Sequence, residues 1–279
     1  MRSVGILATC LALCVMTTAC RPGLRRAEAT SCGHVHSERK IRGQTLCEDA
    51  WICEVPPSGE HDRLGVRRLA PCGNLLGPVF LYLPDRHMTS EIFSMDARDD
   101  LRLYLAQAGI RTWSIDYRTH ALRGTAEGAR AADALWASGD IAADADWLLG
   151  FVRGVTPTPV IVSGFGDGAT LAYELAARRP ADVAALVVFD GARTLGDGAR
   201  DAEEPDNTVP VLAFVAGGRG KVWTQRVRTG AEAVGGDEAI VRELPGFAHR
   251  DVLFSNRAAR AVYEPTRRWA ETVQATGGR

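Results

Sequence analysis

The stretch Pro159–Arg179, PVIVSGFGDGATLAYELAARR, restricts the fold more than any other part of the chain. Val160, Ile161 and Val162 form a short β-branched run that reads as a buried strand. Three glycines in five residues, Gly164, Gly166 and Gly168, then predict a very tight turn. Ala169–Arg179 carries Leu171, Ala172, Leu175 and Ala176 at helical spacing and stops before Pro180. A strand that passes through so sharp a turn into a helix is a building block of α/β architecture.

The rest of the chain alternates in the same way. Residues 41–78 hold short β-like pieces, Trp51–Val55 and Gly65–Leu69, between Pro and Gly turns, and predict an opening hairpin region. Pro78–Leu83 is a strongly apolar strand, followed by the loop Pro84–Met88. Helices are expected at Asp99–Ala108, Ile141–Val152, Val222–Val234 and Ala258–Val273. Strands are expected at Ile110–Tyr117, Val183–Phe189, Val209–Ala216 and Ala239–Leu244. No internal repeat interrupts the order. The alternation predicts an α/β fold, a mostly parallel central sheet with helices on both faces.

Residues 1–19 have the form of an export signal: a basic Arg2, then an apolar core from Val4 to Met16 that is shorter than the roughly 20 residues of a membrane span. Thr17-Thr18-Ala19-Cys20 resembles a lipoprotein cleavage site, which makes Cys20 the expected lipidation position and a membrane anchor. Ordinary secretion without an anchor is the alternative, and Thr17 is unusual three places before the Cys. Either way the chain is expected in the periplasm or cell envelope. Residues 20–40 are polar and basic and read as a tether to a single domain over 41–279. Without the signal and its one Arg, 32 basic residues face 34 acidic ones, which gives no argument for a nucleic-acid partner. Cys32, Cys47, Cys53 and Cys72 precede the first strong core strand and, in an exported chain, predict two disulfides with three pairings open. Cys32-Gly-His34-Val-His36 lacks a second ligand pair downstream, so no metal is expected.

From about residue 76 to 273 the chain resembles the α/β-hydrolase superfamily, of esterase and lipase type. Three segments carry the likeness. LYLPDRHM with LAQAGIRTWSIDYRTH looks like the oxyanion strand and loop and the segment behind it. GFGDG with RRPADVAALVVFDG looks like the nucleophile elbow, G-x-Ser-x-G, and the strand after it. LPGFAHRDVLFSNRAARAVYEPTRRWAE looks like the terminal histidine loop and closing helix. The order nucleophile, acid, histidine also agrees. The departure is at Gly166, which stands in the nucleophile's place and has no side chain to attack a carbonyl.

The resemblance puts the general base at His249. It leaves two roles open for Asp190: orienting His249, or capping the turn into Gly191. The commoner acid position, Gly217–Gly220, holds no carboxylate. Backbone N–H groups of Asp167 and Arg86 are the implied oxyanion donors, and Asp85 stands where relatives often have Gly. Asp251 reads as a loop-fixing carboxylate, and Ser163 as too early to replace the nucleophile. His34, His36, His61 and His120 are expected to be structural, while His87 lies in a loop that should border the pocket. The implied function is an exported, degenerate hydrolase that binds a small apolar or ester-like ligand or a partner, with no cofactor. The alternative is a weak carboxylic-ester hydrolase using His249 and Asp190. A minor alternative reads Gly164-x-Gly166-x-x-Ala169 as a dinucleotide fingerprint with Asp190 as the ribose acid. That reading leaves the first half of the chain and the GFAHRDVL segment without a role.

Overall fold

The computed structural model describes residues 32–55, 63–73, 77–86, 88–90, 100–122, 125–156, 158–193 and 208–276. The export signal, Cys20, the first part of the tether, His61 and His87 lie outside the described residues.

The described strands form one sheet of nine. The first three run antiparallel as a meander: β1 (Cys32–Ile41), β2 (Gln44–Glu54) and β3 (Arg63–Pro71). β3 pairs antiparallel with β5 (Arg111–Asp116). From there the sheet is parallel through β4 (Val79–Leu83), β6 (Val160–Phe165), β7 (Val183–Phe189), β8 (Val211–Ala216) and β9 (Ala239–Leu244). The spatial order is β1-β2-β3-β5-β4-β6-β7-β8-β9. β4, β5, β6 and β8 are buried at every position, because helices cover both faces of this part of the sheet.

One face is packed by α3 (Asp140–Val155), α4 (Asp167–Arg178) and α5 (Lys221–Gly235), through Leu148, Leu149, Leu171, Leu175 and Val227. The other is packed by α1 (Leu101–Gln107) and α7 (Glu264–Ala275), through Leu101, Leu105, Ala270 and Val273. One π-helical turn, Ala259–Tyr263, leads into α7. Behind β5, Arg118 makes a buried bidentate ion pair with Asp144 at 2.5–3.0 Å, and Asp116 accepts from the Ser90 amide and hydroxyl at 2.5 and 2.7 Å.

Two elements depart from the sequence reading. The tether expected over 20–40 gives way at Cys32 to β1, which pairs with β2 along its whole length. Its polar sequence, GHVHSERK, is that of an edge strand exposed almost throughout. Arg42 and Gly43, both at positive φ (50° and 84°), make the two-residue hairpin turn that joins it to β2. Second, α2 (Ala126–Ser138) was not expected; none of its residues is fully buried, and Leu135 and Trp136 pack it against the core. Its ends are well marked: the Thr125 hydroxyl accepts from the Gly128 amide at 2.9 Å, and Gly139 adopts a left-handed cap.

Of the three possible pairings, the disulfides are Cys32–Cys53 and Cys47–Cys72. They tie β1 to β2 and β2 to the end of β3. Oxidised cysteines fit a protein that works outside the reducing cytoplasm. Among the described residues, no helix is long and apolar enough to cross a membrane.

Candidate active site

Every strand of the parallel half ends on the same edge of the sheet, and the expected site residues meet there. The junction of β6 and α4 is the tight turn read from the glycines. Gly166 has φ 56° and ψ −120°, a region that residues with a Cβ occupy only under strain. Gly168 brings α4 against the end of β4: a Cβ on it would lie 2.6 Å from the Pro84 carbonyl oxygen.

The place in front of Gly166 is filled. A Cβ added to Gly166 would fall 2.8 Å from Asp85 Cγ, with Asp85 Oδ2 closer still. The Asp85 carboxylate, carried on the loop after β4, thus stands in the volume that a side chain at 166 would take. Its Oδ2 is 3.7 Å from His249 Nε2.

His249 lies between β9 and the short helix α6 (Asp251–Phe254). Its Nδ1 donates to Asp190 Oδ2 at 2.6 Å, and its ring stacks on Phe165 with centroids 4.3 Å apart. Asp190 ends β7 with φ 46° and is fully buried. Its Oδ1 accepts from the Ala216 amide at 3.0 Å and from Trp223 Nε1 at 2.9 Å. Burial favours a neutral Asp190 carboxyl, but the bonds from His249, Ala216 and Trp223 outweigh it and hold its pKa below the usual value. Burial likewise works against charge on His249. The hydrogen bond to Asp190 and the nearby Asp85 carboxylate prevail, so its pKa lies above the ordinary 6.5. The imidazole is therefore bonded at Nδ1 by one carboxylate and faced at Nε2 by another. Both oxygens of Asp190 are engaged within the protein, so it offers none to a ribose.

The other candidates fall into place around this core. Asp167, the first residue of α4, and Arg86 join through a short charge-assisted hydrogen bond, so their side chains pair with each other across the mouth of the turn. Ser163 is fully buried and donates to the Leu81 carbonyl at 3.0 Å, away from the turn. Asp251 accepts from the Ala248 amide at 2.8 Å and fixes the loop that carries His249. His34 and His36 both bond Asp49 Oδ1, at 2.9 and 2.8 Å, far along the sheet on β1.

A cleft of about 560 Å³ opens over Gly166 and His249. Its outer wall holds residues that the sequence did not single out: Arg193, Arg219, Trp223 and Arg226. Arg219 lies flat over the Trp223 ring, 3.6 Å from its centroid, with Nη1 3.4 Å from both Asp190 Oδ2 and His249 Nδ1. No motif marks these positions, because they come together only when α5 packs beside the end of β7. The site of Asp85 was legible as a change from Gly, but its filling of the elbow was not.

No family profile matches the chain, and no curated protein matches it in sequence. Solved structures do resemble it in shape. A candidate lipase from Sulfolobus solfataricus aligns with a TM-score of 0.67 at 14% identity, covering 86% of this chain and 99% of its own. This chain has the α/β-hydrolase fold. A dienelactone hydrolase from Anabaena variabilis gives a TM-score of 0.57 at 19% identity over 85% of this chain and 98% of its own. A cold-adapted esterase from an Arctic intertidal metagenomic library gives 0.54 at 16%, over 80% and 95%. At these identities the α/β-hydrolase likeness is one of fold.

Proposed function

We propose that this chain is an exported ligand-binding protein on an esterase-like scaffold, without serine-type turnover. One observation carries the reading: the Asp85 carboxylate fills the space in front of Gly166 and faces His249 Nε2. Acyl transfer of the serine type needs a hydroxyl that passes its proton to a neutral Nε2. Here the hydroxyl is missing, and the Asp85 carboxylate stands where it would act. A carboxylate facing the cleft would also oppose a developing oxyanion. Export is supported by the two disulfides, and anchoring through a lipid on Cys20 at the cell envelope belongs to the same reading. A second reading, a weak ester hydrolase in which His249 activates water, is favoured by the intact His249–Asp190 bond.

The test is to treat the mature chain with a fluorophosphonate probe, which labels activated serines, and to follow p-nitrophenyl acetate hydrolysis. No label is expected. Hydrolysis is expected at no more than the roughly 10³–10⁴-fold over water that remains when a triad loses its nucleophile. Slow turnover abolished by both His249→Ala and Asp190→Asn would select the second reading. Labelling, or robust turnover that survives His249→Ala, would sink both.

A further inference from the structure

The cleft wall formed by α5 says what kind of ligand it fits, and here we build on the ligand-binding reading just given. We propose that it takes a small organic anion, with a carboxylate or phosphate group held by Arg193, Arg219 and Arg226 and a short apolar body beside Trp223.

The charges of the cleft do not cancel. On the inner wall, Asp85 is matched by His249 and Asp167 by Arg86. On the outer wall, Arg219 faces Asp190, a carboxylate it shares with His249 and Trp223. Arg193 and Arg226 have no carboxylate partner among the described residues, although both line the cleft. Arg219 joins them on the same wall, so three guanidinium groups line one cleft. Two guanidinium groups therefore converge on one hollow with no carboxylate paired to them among the described residues. An uncharged ester would leave them unanswered.

The wall is also built rather than incidental. Arg219 is held flat by stacking on Trp223, which in turn donates to Asp190. A guanidinium fixed in this way keeps its remaining N–H donors in a planar fork suited to an oxyanion. Arg193 reaches the cleft because α5 approaches the end of β7 very closely: a Cβ on Gly230 would lie 2.9 Å from Arg193 Cβ. Gly230 follows Arg226 by four residues, so the same contact sets Arg193 beside Arg226 on one helix face. Both arginines also border an adjoining hollow of about 400 Å³ along α5, next to the largely exposed Val222. That hollow gives the carbon part of the ligand a place next to the charged group.

The experiment is calorimetric titration of the mature chain, at low and at physiological salt, with three probes of similar shape: phenyl phosphate, benzoate and uncharged benzamide. Phenyl phosphate is expected to bind with a Kd of about 1 mM or tighter, with benzoate weaker and benzamide at least about tenfold weaker than benzoate. Added salt should weaken the anions and leave benzamide unchanged. The double variant Arg193→Gln/Arg226→Gln should lose at least about tenfold in phenyl phosphate affinity with an unchanged melting temperature. Should that variant fold poorly, the salt dependence and the benzoate–benzamide comparison on the natural chain decide alone. Benzamide binding as tightly as benzoate, no binding of either anion below about 10 mM, or a double variant that binds like the natural chain overturns the proposal. These results are independent of the serine-probe outcome. Failure here leaves the vacant-nucleophile reading standing, and probe labelling would sink that reading without touching the anion preference.

Discussion

Placing a serine at Gly166 is the most direct test of how this site is built, and the geometry around it says that it should fail alone. The new Cβ would lie 2.8 Å from Asp85 Cγ, against an ordinary carbon contact of about 3.5–4.0 Å, so the carboxylate must retreat by about 1 Å. Retreat breaks its contact with His249 Nε2. The serine must also hold φ near 56° and ψ near −120°, which costs roughly 1–3 kcal/mol for a residue with a Cβ. For a domain of this size that is a fall of about 3–9 °C in melting temperature at ~3 °C per kcal/mol. Gly166→Ser should therefore melt lower and gain little activity. Gly166→Ser/Asp85→Gly keeps the backbone strain but removes the overlap and frees Nε2 to take the serine proton. It should label with a fluorophosphonate and hydrolyse p-nitrophenyl acetate at least about tenfold faster than the natural chain, a modest part of what a complete triad contributes. Thermal melts, labelling and initial rates on the four proteins of the cycle supply the measurement. A single Gly166→Ser variant as stable as the natural chain and as active as the double variant would refute the reasoning, because Asp85 would then not occupy the elbow.

Three further outcomes follow from the same contacts. His249 should titrate above 6.5 by NMR, and Asp85→Asn should lower its midpoint; because the folded pKa is the raised one, the stability that the ring's charge provides is complete below about pH 6.5 and is lost as pH rises through the folded value, so the melting advantage of the natural chain over Asp85→Asn should be larger at pH 6 than at pH 9. Thiol counting on the unreduced mature chain should find none among Cys32, Cys47, Cys53 and Cys72, and removing either disulfide pair by Cys→Ala should cost about 2–4 kcal/mol in denaturant melts. Arg118→Ala should destabilise by roughly 3–5 kcal/mol, since it strands the buried Asp144 carboxylate without a partner, and an unchanged denaturation midpoint would contradict that.

The parallel half of the fold was legible because its strands are continuous apolar runs and its helices carry apolar stripes; β6, β7 and β9 lie where the sequence put them. β1 was not, because an edge strand exposed almost throughout has the composition of a linker, and only the cysteines hinted that it was fastened down. α2 escaped for a related reason: it is rich in Ala, none of its residues is fully buried, and only Leu135 and Trp136 reach the core. At the site, His249 and Asp190 were findable from chain order, since each lies in the segment that follows a strand at the same edge of the sheet. The Arg219–Trp223 stack and the placing of Arg193 and Arg226 depend on how α5 lies against the end of β7, which is a matter of packing and leaves no local pattern.

Gly166 and Asp85 are best understood together, as two positions that share one volume. Only one of the two positions can carry a side chain into the shared volume, since a Cβ at 166 and the present Asp85 carboxylate exclude each other. With aspartate in the loop, His249 Nε2 faces a carboxylate 3.7 Å away and the ring is charged at a higher pH. His249 thus sits at the floor of the cleft between the Asp190 and Asp85 carboxylates, with Arg193, Arg219 and Arg226 on the wall above it. On the function proposed above, that arrangement of shape and charge serves binding.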